Sequence, residues 1–333
     1  MNTSAAEHAA DALQQRKRVP DFFIVGHPKS GTTALWAMLQ SHPKIYMPEN
    51  KEPYFLADEL RPPAATPRTF GHTPATLDEY MGLFAPAAPE QRTGEASAPY
   101  LWSRTAARRI AELRPDAKII AILREPASFL RSLHLQFLQM YVEPEKDLRK
   151  ALALEIARRE GRQLPAYAVW GPRGTFYSEY IRYVEQLRRY RAHFPSEQVL
   201  VLIYDDYRDD NEAVVRSVYR FLEVDYAQPV QVQEANPTVG IRSVRAYTLM
   251  HALASGEGPV PGALLRTART LAPRGLTRQR AIAIRNRFMH SRPPQVDEQL
   301  MAELRRRFAP EVHALSEYLD RDLVSLWGYE SLG

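Results

Sequence analysis

Three uninterrupted apolar runs constrain the fold more than any other feature: FFIV at 22–25, IIAIL at 119–123 and VLVLI at 199–203. Each is strand-sized and far short of the ~20 residues that cross a membrane. None alternates polar with apolar residues, so each strand must be covered on both faces. Between them lie stretches with helical spacing. These are TTALWAMLQS at 32–41, the segment 127–141 with Phe129, Leu133, Phe137 and Met140, an amphipathic 176–194, and 211–222, which includes FLEV's Phe221 and Leu222. Strand alternating with helix predicts an α/β fold with a mostly parallel sheet flanked by helices on both faces. A last amphipathic helix is expected at 296–320, packing back on the sheet through Leu300, Leu304, Phe308, Val312 and Leu315.

No internal repeat or linker divides the chain. The expected organisation is a flexible tail at 1–19 and a single domain over 20–333, with excursions at about 57–90 and 240–295. The opening residues lack the apolar stretch of a secretory signal, so a cytoplasmic location is expected. Cysteine is absent, which excludes disulfides, zinc–thiolate sites, iron–sulfur clusters and cysteine nucleophiles. The formal charge is +5, but between Glu257 and Asp297 stand eight arginines and no acid. The basicity is local. It suits an anionic ligand or a basic loop better than general nucleic-acid binding.

The most informative stretch runs Phe22-Phe23-Ile24-Val25-Gly26-His27-Pro28-Lys29-Ser30-Gly31-Thr32-Thr33. It predicts strand, turn and helix N-terminus. Gly26 and Gly31 have the spacing of the two glycines in G-x-x-x-x-G-K-[ST], and amides in such a turn converge on a phosphate-type oxyanion. The departure from that motif is informative. Thr32 stands where a triphosphate-binding loop has lysine, and the loop's own lysine is Lys29. The ligand expected is a 5′-phosphate carrying some other group. A simpler reading is a glycine turn in which threonine caps a helix.

Pro28-Lys29-Ser30-Gly31-Thr32-Thr33 resembles the 5′-phosphosulfate loop (PKSGTT) of the sulfotransferases that use 3′-phosphoadenosine 5′-phosphosulfate (PAPS). Two further segments agree. Arg124, Pro126 and Ser132 after the strand KIIAIL resemble the family's 3′-phosphate motif, and VLVLIYDDY at 199–207 resembles its later strand. The resemblance covers residues 20–225 well and 290–328 loosely. It implies a P-loop NTPase-like sheet and transfer of a sulfuryl group from PAPS to a hydroxyl of a carbohydrate, glycolipid or natural product. Adenosine 3′,5′-bisphosphate (PAP) is left, and no metal is required. Lys29, Ser30, Gly31, Thr32, Thr33, Arg124 and Ser132 would bind the donor. Lys29 would also supply the cation beside the leaving oxygen, and His27 could contact the sulfate.

Lys51-Glu52-Pro53-Tyr54-Phe55 resembles the KEPHFF-type segment whose glutamate is the base in the carbohydrate-modifying branch, which implies Glu52 as catalytic base. Pro53 should hold Glu52 in an extended conformation. Gly94-Glu95-Ala96-Ser97-Ala98-Pro99-Tyr100 resembles G-E-x-[ST]-P-x-Y. Ala96 stands where heparan-modifying members have lysine, which argues against a heparan-like acceptor, and Glu95 is equally readable as structural or catalytic. Tyr177 would lie near the donor by resemblance, or pack in the core beside Tyr180. Arg287 and Arg292 are candidates for the 3′-phosphate from a late loop. Two other readings compete. A P-loop nucleotide or metabolite kinase would use Asp205 for Mg²⁺. A polyanion-binding protein would use the arginines of 266–292. The expected partners are a small-molecule or glycan acceptor, with no nucleic acid and no membrane span.

Overall fold

The computed structural model describes residues 18–60, 73–140, 142–165, 170–231, 240–241, 290–291 and 294–330. Two compact units divide the chain. The first comprises Met1–Phe129, Tyr177–Asn236 and Met301–Gly333; the second comprises Leu130–Phe176 and Pro237–Leu300.

The first unit is built on five parallel strands: β1 (Phe22–Gly26), β2 (Ile45–Tyr46), β3 (Arg92–Ala96), β4 (Lys118–Leu123) and β5 (Val199–Ile203), in spatial order β2-β3-β1-β4-β5. Phe22 and Ile24 lie on one face, Phe23 and Val25 on the other, and all four are fully buried. That double burial is why these strands carry no polar alternation. On the first face Ile24, Ile120 and Ile122 share a core with Leu35 and Met38 of helix α1 (Thr32–Gln40). The same core includes Val215, Val218 and Tyr219 of the helix Asn211–Phe221.

β3 escapes recognition in the sequence because RTGEA is not an apolar run. Gly94 makes its place possible. It pairs with Phe22, and a Cβ there would fall 2.2 Å from the Phe22 ring and 2.4 Å from the Met47 sulfur. Its glutamate, Glu95, is wholly buried and takes hydroxyl donors from Tyr80 and Tyr100 at 2.5 and 3.3 Å.

The expected helix at 176–194 is two helices, Tyr177–Tyr180 and Tyr183–Arg191. The break is satisfied by side chains. Gln186 Nε2 donates to the carbonyls of Glu179 and Tyr180 at 2.9 and 3.2 Å. The Val184 amide donates to Glu311 at 2.8 Å. Glu311 lies on Glu298–Leu319, the late helix expected at 296–320.

In the second unit, helix Leu148–Arg159 carries Arg158, which forms a two-pronged buried pair with Glu143 at 2.7 and 2.8 Å. Gly240–Ile241 pairs antiparallel with His290–Ser291. The rest of the basic 266–292 segment, Arg287 and Arg292 included, lies outside the described residues. Among those described, no helix is long and apolar enough to cross a membrane.

Candidate active site

Because the strands are parallel, their carboxyl ends share one edge. β1 lies between β3 and β4, so the chain leaves it toward one side and returns on the other. Such a reversal opens a crevice at the strand ends, where open α/β sheets bind ligands. The loop after β1, the segment after β3, and Arg124 after β4 all emerge at this edge.

The loop ends in a cap without a side chain. Gly31 is the N-cap of α1, with φ 89° and a Cβ position only 2.9 Å from the Tyr207 ring, so no other residue fits there. No side chain caps α1, which leaves its first-turn amides to an anion and removes the simpler reading of a threonine cap. Ser30 and Thr32 are buried, whereas Thr33 is exposed.

Two cations meet at this loop. Arg124 Nη1 donates to the Lys29 carbonyl at 2.9 Å, and its Nε donates to Ser128 Oγ at 3.1 Å. The guanidinium lies 4.6 Å over the Tyr204 ring. Neither Lys29 nor Arg124 has an ion-pair partner among the described residues. Burial, and then the positive charge of Arg124, lower the Lys29 pKa from its ordinary value. A pair of cations held together without an ion-pair partner among the described residues is a site for an anion.

Beyond β3 a different chemistry is assembled. Glu52 Oε1 accepts from Lys51 at 2.8 Å and Oε2 from the Tyr54 hydroxyl at 2.5 Å. Burial would raise its pKa, but the Lys51 charge, the hydrogen bonds from Lys51 and Tyr54 and a backbone bond from Ala98 outweigh it and hold the carboxyl below its usual range. Glu52 is therefore an anion at neutral pH. Its φ is 62°, in the left-handed region, not the extended conformation expected from Pro53. The hydrogen bond from its amide to the Ala96 carbonyl at 3.0 Å accompanies that conformation and ties the loop to the end of β3.

Residues 20–228 match the sulfotransferase family model. The chain belongs to the sulfotransferase family. A human bifunctional heparan sulfate N-deacetylase/N-sulfotransferase 3 is 28% identical over 226 residues, 62% of this chain and 22% of that relative. Human carbohydrate sulfotransferase 15 is 28% identical over 164 residues, 39% of this chain and 29% of the relative. The chain thus spans well under a third of these relatives. A sulfotransferase structure from Alicyclobacillus acidocaldarius is 29% identical, with a TM-score of 0.55, and covers 75% of this chain and 96% of that one.

Four other candidate residues of the chain are buried or already engaged. His27 is wholly buried, between Phe129 and Tyr183 at 5.2 and 5.3 Å, with Nε2 bonded to Gln186 at 2.6 Å. Burial lowers its pKa to about 4. It is a neutral core residue, not a sulfate contact. Tyr177 is wholly buried at the start of its short helix. Ser132 is buried in the second turn of the helix Pro126–Gln139. Asp205 accepts from Trp327 Nε1 at 2.9 Å and pairs with Arg208 at 3.2 Å, so both of its oxygens are engaged. The kinase reading loses its proposed metal ligand to these contacts.

Sequence reasoning underrated Glu95. Burial raises its pKa to about 7, against the pull of the Ser97, Tyr80 and Tyr100 hydroxyls and with a further push from the Glu52 charge. Two acids at one strand end are thus driven apart, one below its usual range and one above. The available signal was the resemblance of Gly94–Tyr100 to G-E-x-[ST]-P-x-Y, which singles out the glutamate but not its burial.

Proposed function

We propose that this chain transfers a sulfuryl group from PAPS to a hydroxyl of a carbohydrate, glycolipid or natural-product acceptor, acting in the cytoplasm. The observation that carries this reading is the pair Lys29 and Arg124, two cations joined through one loop and without an ion-pair partner among the described residues. The chain's residues fit a nucleotide with two anionic ends. Lys29, the open amides at Gly31–Thr33 and Ser30 would hold the phosphosulfate end. Arg124 would hold the remainder, at its 3′-phosphate. When bound, the donor supplies an activated sulfuryl group, and PAP leaves.

Glu52 takes the proton from the acceptor hydroxyl as its oxygen bonds to sulfur and the bond from sulfur to the phosphate oxygen breaks. At neutral pH Glu52 is ionised and so free of the proton it must accept. Lys29 places positive charge where negative charge grows on the leaving oxygen. Sulfotransferases acting on heparan sulfate and other carbohydrates are among the relatives, which favours a sugar hydroxyl, and Ala96 in place of lysine favours one less anionic than heparan. Calorimetry with PAP is the direct test, followed by labelled transfer to a panel of hydroxylated acceptors. Tight binding of ATP–Mg²⁺ with no binding of PAP would refute this reading.

A further inference from the structure

We infer that Glu95 is a positioning residue: through Tyr80 and Tyr100 it fixes the loop that carries Glu52. The inference rests on the reading of Glu52 as the acceptor base.

The loop needs holding. Glu52 and Tyr54 have φ values of 62° and 54°, a region that non-glycine residues avoid. Three successive tethers run from the loop to the segment after β3. The Glu52 amide donates to the Ala96 carbonyl at 3.0 Å. The Tyr54 amide donates to Ser97 Oγ at 3.4 Å, and the Leu56 amide to the Tyr100 hydroxyl at 2.9 Å.

The last tether depends on Glu95. A tyrosine hydroxyl has one proton. Tyr100 directs it to Glu95 Oε2 at 3.3 Å, which leaves its lone pairs facing the Leu56 amide. Tyr80 donates to the same oxygen at 2.5 Å, and its ring stacks on Phe55 at 4.7 Å between centroids. One buried carboxyl oxygen therefore orients the partners of two consecutive loop residues, Phe55 and Leu56. The Tyr190 hydroxyl, on the Tyr100 carbonyl at 2.9 Å, holds this tyrosine from the other side. Glu95 itself lies in β3, paired with Phe23, so the anchor is part of the sheet.

The test compares Tyr100→Phe and Glu95→Gln with the parent chain by hydrogen exchange, PAP calorimetry and turnover of PAPS with a p-nitrophenyl β-glucoside. Tyr100→Phe keeps the ring, so it serves where Glu95→Gln fails to fold. In both variants, exchange in peptides covering 52–57 should rise at least about tenfold while β1 and β4 stay unchanged. The PAP Kd should stay within about twofold, and kcat should fall about tenfold, with the donor KM unmoved. Unchanged exchange at 52–57 would overturn the anchor, whatever the enzyme does with the glucoside. Faster exchange with an undiminished kcat would overturn the positioning role, whereas the assignment of Glu52 as base falls only if Glu52→Gln itself keeps full turnover.

Discussion

The loop after β1 and the segment after β3 leave neighbouring strands at the same edge, yet they are built on opposite principles. On the β1 side two cations are held together, and the backbone sets their geometry: a glycine cap and the Lys29 carbonyl that receives Arg124. On the β3 side two carboxyls are held, and side chains set their geometry: Lys51 and Tyr54 on Glu52, Tyr80 and Tyr100 on Glu95. Like charges at close quarters are tolerated differently in the two places. The cation pair awaits an external anion. The two carboxyls are set by their own surroundings: burial, with a smaller push from the Glu52 charge, moves Glu95 toward neutrality, while Lys51 and Tyr54 keep Glu52 charged. Donor binding should therefore fail when the first region is altered, and turnover alone when the second is.

Lys29→Ala should show the largest effect, a loss of turnover of about a thousand-fold, because a positioned charge at the leaving oxygen is typically worth that much. PAP binding should weaken with it. Near-normal turnover would sever the β1 loop from the chemistry. Glu52→Gln should lower kcat by about a hundred-fold, the usual scale of a general base, and leave PAP binding intact in calorimetry. A parallel loss of PAP affinity would erase the division of labour between the two regions.

Arg124→Ala should weaken PAP binding by about ten- to a hundred-fold, the scale of a charged hydrogen bond. The loss should be much smaller for an analogue without the 3′-phosphate. Equal losses for both would mean that Arg124 only braces the Lys29 loop through the 2.9 Å bond it already makes.

The same contrast explains what was legible in the sequence. A backbone-built site leaves marks at fixed spacing, so Gly26, Lys29 and Gly31, with Arg124 closing an apolar strand, were readable before any coordinates. β1, β4 and β5 were readable for the same kind of reason, since burial on both faces demands apolar runs. A site built from side chains leaves a weaker mark: resemblance singled out Glu52 and Glu95 but not the conformation or contacts that set them. Nothing local in RTGEA announces a strand, because its fit depends on Phe22 and Met47 filling the space above Gly94. Nothing local in KEPYF announces a left-handed glutamate, because the Ala96 carbonyl that binds its amide lies 44 positions away in the sequence. His27 misled in the opposite sense: it sits inside the motif, but aromatic neighbours and Gln186 take its ring into the core.

The smallest effect is also the sharpest probe of the carboxyl pair. Glu95 in the folded chain has its pKa raised from the usual 4.5 to about 7. The folded state then holds a proton that the unfolded chain has lost, so its contribution to stability is fully present below about pH 4.5 and is lost as pH rises through about 7. His27 acts in the other direction. Its pKa is lowered from 6.5 to about 4, so its contribution is present above 6.5 and is lost as pH falls through 4. The two slopes oppose each other across the interval they share. Glu95→Gln removes one slope and leaves the other. The stability of the parent minus that of the variant, from urea melts at several pH values, should therefore fall between about pH 4.5 and 7 and be level on either side. A difference that does not vary with pH would mean that Glu95 titrates like an ordinary carboxyl, and that the β3 side keeps two charged acids together as the β1 side keeps two cations.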